Sequence, residues 1–389
     1  MNKFAISLLL TIYSFYASIG QTYIPYYGNI VNNCSYDTIL TNLQEFENYG
    51  TKELGTPAIN NTKDWIIDKY TSYGYTNIVE DPFYHYGQIA QNIIINKTGF
   101  LYPNKYLIID GHYDTRDGPG ANDNGSGTVS ILEIARLLKD VDTEYSIKFI
   151  HFSAEEVGLI GSQHYVNHTV ISSNMDIKLV FNIDGVGGVV GMVNDIVVCE
   201  RDERGPPISN NEASAIMTNE LATCVSLYST LTTEISYAYA SDYIPFEHNN
   251  EIITGLYEKN ISPYYHSAQD VISKLDVNYL YEVTKAAIGA SLHFSVARDS
   301  ISGVKENNFL GGVVAYPNPT NGKVSLNIGE INTAINLTLR NTLGQLLLNK
   351  SFEATSQINI NIDNQPAGLY FLRLETPLGI SKSIKIFKE

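Results

Sequence analysis

The chain has 389 residues and a formal net charge of −16, with 25 Lys and Arg set against 41 Asp and Glu. That length allows two or three domains and a large core. The acidic balance, with no basic patch in view, argues against a nucleic-acid partner. The acid is also uneven: residues 313–389 hold seven Lys and Arg against five Asp and Glu, so a compositional boundary falls near residue 310.

Residues 1–20, "MNKFAISLLLTIYSFYASIG", place a Lys near the start, then an apolar stretch, then small residues. This is the pattern of a secretory signal peptide cleaved after Gly20. No later segment approaches the ~20 apolar residues of a membrane span, so an exported protein without a stable membrane span is expected. Export permits disulfides, but the three cysteines Cys34, Cys199 and Cys224 are odd in number and lack the paired spacing of a structural zinc site. A Cys199–Cys224 bridge and three free buried thiols both remain open.

Residues 30–80 read as mainly helical, with Ile39, Leu40, Leu43 and Phe46 at helical spacing and Trp65, Ile66 and Tyr70 repeating the pattern. Strands follow in "GQIAQNIIINKTG" and "KYLIIDGHYD", then a helix in "TVSILEIARLLKD". Next come a strand in "YSIKFIHFSAEE", a helix in "GLIGSQHYVNH" and a strand in "DIKLVFNIDGVG". Residues 276–299 form a long amphipathic helix. Alternating apolar strands and helices predict an α/β fold, a mixed, mostly parallel sheet flanked by helices. Residues 300–312 read as a polar, Gly-flanked linker. Residues 313–389, with short alternating runs between Gly, Asn and Pro turns, predict a small all-β sandwich of six or seven strands. The expected domains are thus a signal peptide (1–20), a catalytic domain (21–299), a linker (300–312) and the sandwich (313–389).

The stretch "GHYDTRDGPGANDNGSG" directly follows an apolar strand. His112 and Asp114 stand at that strand's end, and Asp123 lies just before the next helix. Glu155 and Glu156 end the following strand, Asp184 ends the one after, and His266 sits on a late loop. In a doubly wound sheet these positions share the carboxyl edge, where such folds build their sites. Two His and three carboxylates, without thiolate, suit a pair of zinc-like ions. A phosphate loop is excluded, because the Lys-Ser/Thr pair is missing and the acids would repel the ligand. Any one of these Asp alone reads as a turn-former or helix cap; five ligand-type residues at the ends of consecutive strands do not.

Taken in order, "GHYDT…GPGANDNGSG", "FSAEEVGLIGSQHYV", "FNIDGVG", "SDYIPF" and "YYHSAQD" resemble the motifs of secreted di-zinc aminopeptidases, the aminopeptidase S and aminopeptidase Y type of clan MH. The resemblance covers roughly residues 35–298 and implies the zinc exopeptidase fold with two zinc ions. It implies that Asp123 bridges the ions, that His112 and Asp184 complete one site, and that Glu156 and His266 complete the other. Glu155 would be the general base, passing a proton from a metal-activated water to the leaving amine. Asp114 would accept the His112 ring N–H and fix its tautomer, and Tyr265 would donate its hydroxyl to the developing oxyanion. Two positions depart from the common pattern: Asn124 where some relatives have Asp, and Tyr243 where His is usual. The neutral residue at the first position also occurs in the family, and His at the second is not a metal ligand, so only pocket shape is in question there. His151, His164, His168 and His293 read as surface or core residues, and His85 and His248 lie in loops without a matching motif.

"AYPNPTNGKVSLNI" and "AGLYFLRLETPLGISKSIKIFK" resemble the C-terminal sorting domain of the type IX secretion system. That resemblance implies passage through the periplasm, translocation across the outer membrane and contact with the secretion machinery. The expected protein is a monomeric, secreted or cell-surface exopeptidase acting on peptide substrates. Arg116, Arg136, Arg201, Arg204 and Arg298 are the only Arg of the catalytic region, and Arg116 alone lies within the motif loops. A carboxypeptidase needs such a cation to grip a free carboxylate, so an aminopeptidase with a preference for apolar side chains is the reading. A carboxypeptidase and a glutaminyl-cyclase-type acyltransferase on the same fold are the alternatives. A non-catalytic receptor would require damaged ligands, and none is damaged.

Overall fold

The computed structural model describes residues 21–299, apart from Arg204 and Tyr239, and residues 313–389, apart from 329–333, 354 and 376–380. The expected signal peptide and linker lie outside the described residues. The chain divides after Ala297 into two compact units.

The first unit opens with helices α1 (Pro25–Val31), α2 (Tyr36–Asn48) and α3 (Pro57–Ser72). The Ser35 hydroxyl caps α2 by accepting the Thr38 N–H at 3.1 Å, and Thr56 does the same for α3, with Pro57 at the first helical position. Strands β1 (Ile78–His85), β2 (Gln88–Lys97) and β3 (Tyr102–His112) come next. Helix α4 (Gly125–Leu138) leads through the short β4 (Asp142–Thr143) to β5 (Tyr145–Phe152). Helix α5 (Ile160–Tyr165) passes through a π turn at Val166–Val170 into α6 (Ile171–Ser173), followed by β6 (Asp176–Ile183) and β7 (Ile196–Arg201). Then come α7 (Asn211–Tyr228), β8 (Thr232–Tyr237), α8 (Ile244–His248) and β9 (Ile253–Glu258). The long α9 (Val277–Ser295) completes the unit, and the two-residue β10 (Ala297–Arg298), which pairs with β4, falls on its boundary.

The eight-stranded sheet has the order β1-β2-β5-β3-β6-β9-β7-β8. Its centre, β5-β3-β6-β9, is parallel, while the β1/β2, β2/β5 and β7/β9 pairs are antiparallel. Alternate residues of the central strands enter different cores. Leu107, Ile109, Phe149 and Phe181 join the cluster under α2, α4 and α9. Ile108, Ile150 and Val180 pack with Tyr165, Val170 and Phe246 on the opposite face. Both faces are covered, which is why these strands read as near-continuous apolar runs. The strand β1 and the elements from β7 to β9 have no counterpart in the sequence reading. β1 and β8 are sheet edges with mostly exposed or half-buried residues, and β1 carries Pro82, as only an edge strand tolerates.

All three cysteines are buried and free. Burial pushes the Cys199 thiol up to about 12, so the neutral thiol is the stable form and the residue packs as a small hydrophobe. Among the described residues no helix is long and apolar enough to cross a membrane.

The second unit contains β11 (Val314–Tyr316), β12 (Lys323–Asn327), β13 (Ile335–Asn341), β14 (Leu346–Phe352), β15 (Gln357–Asn361), β16 (Gly368–Glu375) and β17 (Ser381–Lys388). They form two antiparallel sheets, β11-β12-β15 and β14-β13-β16-β17. Alternate residues from both, among them Val324, Leu326, Ile358, Leu337, Leu339 and Leu372, meet in one apolar core.

Candidate metal and active site

The site lies at the carboxyl ends of the parallel strands. β3 ends on His112, and the chain returns to α4 through the Gly-rich loop. Asn124 caps α4 by accepting the Gly127 N–H at 2.9 Å, and its Nδ2 donates to the Ile183 carbonyl at 3.0 Å. One side chain thereby fixes the loop to the end of β6. A Cβ at Gly118 would fall 1.9 Å from the Ser267 carbonyl oxygen, so glycine is required where this loop meets the His266 loop. Asp270 holds the loop from below: its two oxygens accept the Asn122 and Asp123 N–H at 2.9 and 3.0 Å. Burial pushes the Asp270 carboxyl up to about 7, although both backbone bonds pull it down.

Asp123 stands between two histidines. Its Oδ1 is 3.3 Å from His112 Nε2 and its Oδ2 is 3.2 Å from His266 Nε2. Asp184 Oδ1 lies 3.4 Å from His112 Nε2, and Glu156 Oε2 lies 3.0 Å from His266 Nε2. The five candidate ligands therefore fall into two sets that share Asp123. Glu155 Oε2 is 4.0 Å from His112 Nε2. By proximity alone, Glu155 also groups with His112 and Asp184, within 4.8 Å.

Charge in this cluster is far from balanced. Burial and the neighbouring negative charges push the Glu155 and Glu156 carboxyls well up. Burial works the same way on Asp123, but hydrogen bonds from His112 and His266 outweigh it and hold that carboxyl low. Burial opposes charge on His112, yet the nearby Asp184 and Glu155 carboxylates raise it well above its ordinary value. Glu156 Oε1 is buried without a hydrogen-bond partner. An orphaned carboxylate oxygen within a set of imidazole and carboxylate donors fits divalent cations of the zinc type.

The expectation that the Asp114 carboxylate receives the His112 ring N–H needs correction. His112 Nδ1–H donates to the Asp114 main-chain carbonyl at 3.0 Å, and the carboxylate is 3.7 Å away. Instead, the Asp114 oxygens accept the main-chain N–H of Glu155 and Glu156, each at 3.2 Å. Two main-chain donors outcompete one ring donor, because the turn after β5 leaves both N–H groups otherwise unpaired. Tyr265 lines the site, but its hydroxyl donates to Glu258 Oε1 at 2.6 Å. Glu258 also accepts from Asn122 Nδ2 and from the Ser262 and Gly188 N–H groups. Ser241, from the "SDYIPF" segment, donates its hydroxyl to Asp184 Oδ2 at 2.8 Å. The sequence reading missed Asp270, Glu258, Asn122 and Ser241, although Asn122, Ser241 and Asp270 lie within the motifs themselves.

The other histidines lie elsewhere. His151 is buried against the Tyr70 hydroxyl and burial drives it down to about 3. His164 meets Asp81, and His293 meets the Tyr228 hydroxyl.

A cavity of about 570 Å³ opens over the two His and the acids. Its walls include Tyr243, Ile244, Tyr257 and Ile261, with Glu200 and Arg116 also on the lining. Arg116 is exposed and pairs with its neighbour Asp117 at 3.4 Å.

The profile of peptidase family M28 matches residues 92–291, and that of a secretion system C-terminal sorting domain matches residues 314–389. The sorting domain points to secretion or the cell surface. Aminopeptidase YwaD of Bacillus subtilis is 33% identical over 205 residues, which cover 50% of this chain and 42% of that relative. The chain thus spans less than half the length of that curated relative. In fold it is similar to the LapA aminopeptidase of Legionella pneumophila, with a TM-score of 0.62 at 20% identity over 76% of this chain and 81% of the other. It is also similar to the glutaminyl cyclase of Bacteroides thetaiotaomicron, with a TM-score of 0.54 at 19% identity over 66% of this chain and 97% of the other. These two likenesses speak to the fold alone. With the profile match spanning just over half of its length, the chain belongs to peptidase family M28.

Proposed function

We propose that the protein is an exported two-zinc aminopeptidase that releases N-terminal residues from peptides. The observation that carries this reading is Asp123, with one oxygen toward His112 and the other toward His266. His112, Asp123 and Asp184 would hold one ion, and Asp123, Glu156 and His266 the other. Bound there, the zinc pair would acidify a water and polarise the scissile carbonyl.

The chain's own residues supply the rest. Glu155 takes the proton of the attacking water on its carboxylate and returns it to the leaving amine. Asp114 holds the Glu155 main chain in place for that transfer. The acids of the cavity attract the substrate's terminal ammonium group. Tyr265 assists the developing oxyanion only by exchanging its bond to Glu258 for one to the substrate oxygen. Residues 1–20 would direct export, and the C-terminal unit would engage the type IX machinery for passage across the outer membrane.

Arg116 on the cavity lining gives the carboxypeptidase reading its one support. Digesting paired peptides, one N-acetylated and one C-amidated, separates the readings by mass of the products. Cleavage of the C-amidated peptide alone is expected. Cleavage of the N-acetylated peptide alone would reverse the assignment. Ammonia release from an N-terminal Gln peptide, without bond cleavage, would instead mark a cyclase.

A further inference from the structure

We propose that Glu200 makes this site select N-terminal lysine and arginine, whose apolar stems line the cavity wall while their cations meet its carboxylate. The inference rests on the aminopeptidase reading and names its substrate class, basic side chains in place of the apolar preference expected from the sequence.

Glu200 is carried by β7 and is only 4% exposed, yet it lies on the cavity lining. Its Oε2 accepts the Tyr243 hydroxyl at 3.0 Å. No ion pair joins it to a Lys or Arg among the described residues. A buried carboxylate without a counter-charge is costly, so it either keeps its proton or takes a cation from a ligand. Burial pushes this carboxyl up to about 8, against the Tyr243 hydrogen bond, and Asp184 adds to the rise. An entering ammonium or guanidinium group reverses that balance.

The surroundings fit such a side chain. Ile244, Tyr257 and Ile261 offer apolar wall for a chain of three or four methylenes. Gly255 of the neighbouring β9 leaves room, since a Cβ there would stand 3.0 Å from Glu200 Oε2 and 3.2 Å from the Tyr243 ring. Tyr243 occupies the position where the family resemblance suggests His, and its hydroxyl is what orients Glu200. Ser241, two residues before it, bonds Asp184. Glu200 therefore belongs to the Asp184 flank of the centre, while Arg116 faces the His266 flank, where its charge acts on that ring.

The test compares kcat/KM of the zinc-loaded full chain on the p-nitroanilides of lysine, arginine, norleucine and leucine. Norleucine keeps the lysine stem and lacks its ammonium group. Lysine and arginine should exceed norleucine by well over about tenfold, because a site whose buried polar group is left unpaired rejects an analogue more strongly than an apolar wall does. Glu200→Gln should collapse that ratio toward one, chiefly through KM, and Tyr243→Phe should lower it partway. A wild-type lysine-to-norleucine ratio of one or below would overturn the proposal, whatever the variants do. So would a ratio unchanged in a folded Glu200→Gln protein. Failure to cleave any of the four would instead sink the aminopeptidase reading beneath it.

Discussion

The main-chain N–H of Glu155 donates to Asp114 Oδ1 at 3.2 Å, and the next N–H, that of Glu156, donates to the other oxygen at the same distance. One buried carboxylate therefore sets the position of the proposed base and of a proposed ligand together. Asp114→Ala leaves two N–H groups unpaired, each costing about 1–3 kcal/mol if water does not replace the acceptor. The expected result is a melting temperature lower by several degrees and a fall in kcat larger than any rise in KM. Unchanged kcat at full metal content would contradict this.

Glu155 and Glu156 are adjacent but stand in different relations to the histidines, 4.0 Å from His112 and 3.0 Å from His266. Glu155→Gln should keep its zinc and lose about 10²–10⁴-fold in kcat, the scale of a missing general base. Asp123→Ala should lose zinc from both positions. Elemental analysis of the two variants side by side checks the division of roles. Zinc loss in Glu155→Gln would make Glu155 a ligand.

Metal removal should make stability depend on pH. Burial and nearby charges raise the Glu156 carboxyl in the metal-free fold. A raised folded pKa contributes stability that is fully present below the unfolded carboxylate value of about 4.3 and is lost as pH rises through the folded one. His112, also raised, acts in the same direction. Bound zinc requires both groups deprotonated and so removes this penalty. Melting curves with and without chelator should therefore diverge between about pH 5.5 and 8.5, the chelated protein weakening as pH rises. A constant or shrinking gap would show that the cluster does not hold protons as described.

Asp270 should matter although it touches neither histidine. Its carboxylate holds the Asn122 and Asp123 N–H groups, so Asp270→Ala should loosen Asp123 and weaken zinc binding by about 10–100-fold, the usual effect of losing a group that orients a ligand. Competition against a chromophoric chelator measures it. Wild-type affinity in a folded variant would contradict the role.

Much of this site is legible in the sequence, for a physical reason. His112, Asp184 and the Glu155–Glu156 pair each follow an apolar strand directly, so the parallel order of β5, β3 and β6 brings them to one edge. Side-chain direction was not legible. Tyr265 adjoins His266 in sequence, yet its hydroxyl turns to Glu258, seven residues earlier. Asp114 stands two residues from His112 and still spends its carboxylate on another turn. Glu200 was invisible because β7 is a short run whose buried acid looks like any solvated one. The paired sheets of the second unit were legible because residues such as Val324 and Leu326 alternate cleanly with exposed ones.

The most direct test of the proposed two-metal centre is anomalous diffraction at the zinc edge from crystals of the zinc-loaded protein. The account predicts two peaks flanking the Asp123 carboxylate, about 3.5–4 Å apart as in other two-metal sites. One should be bound by His112 and Asp184 and the other by Glu156 and His266. A single peak, or two peaks that do not share Asp123, would contradict it.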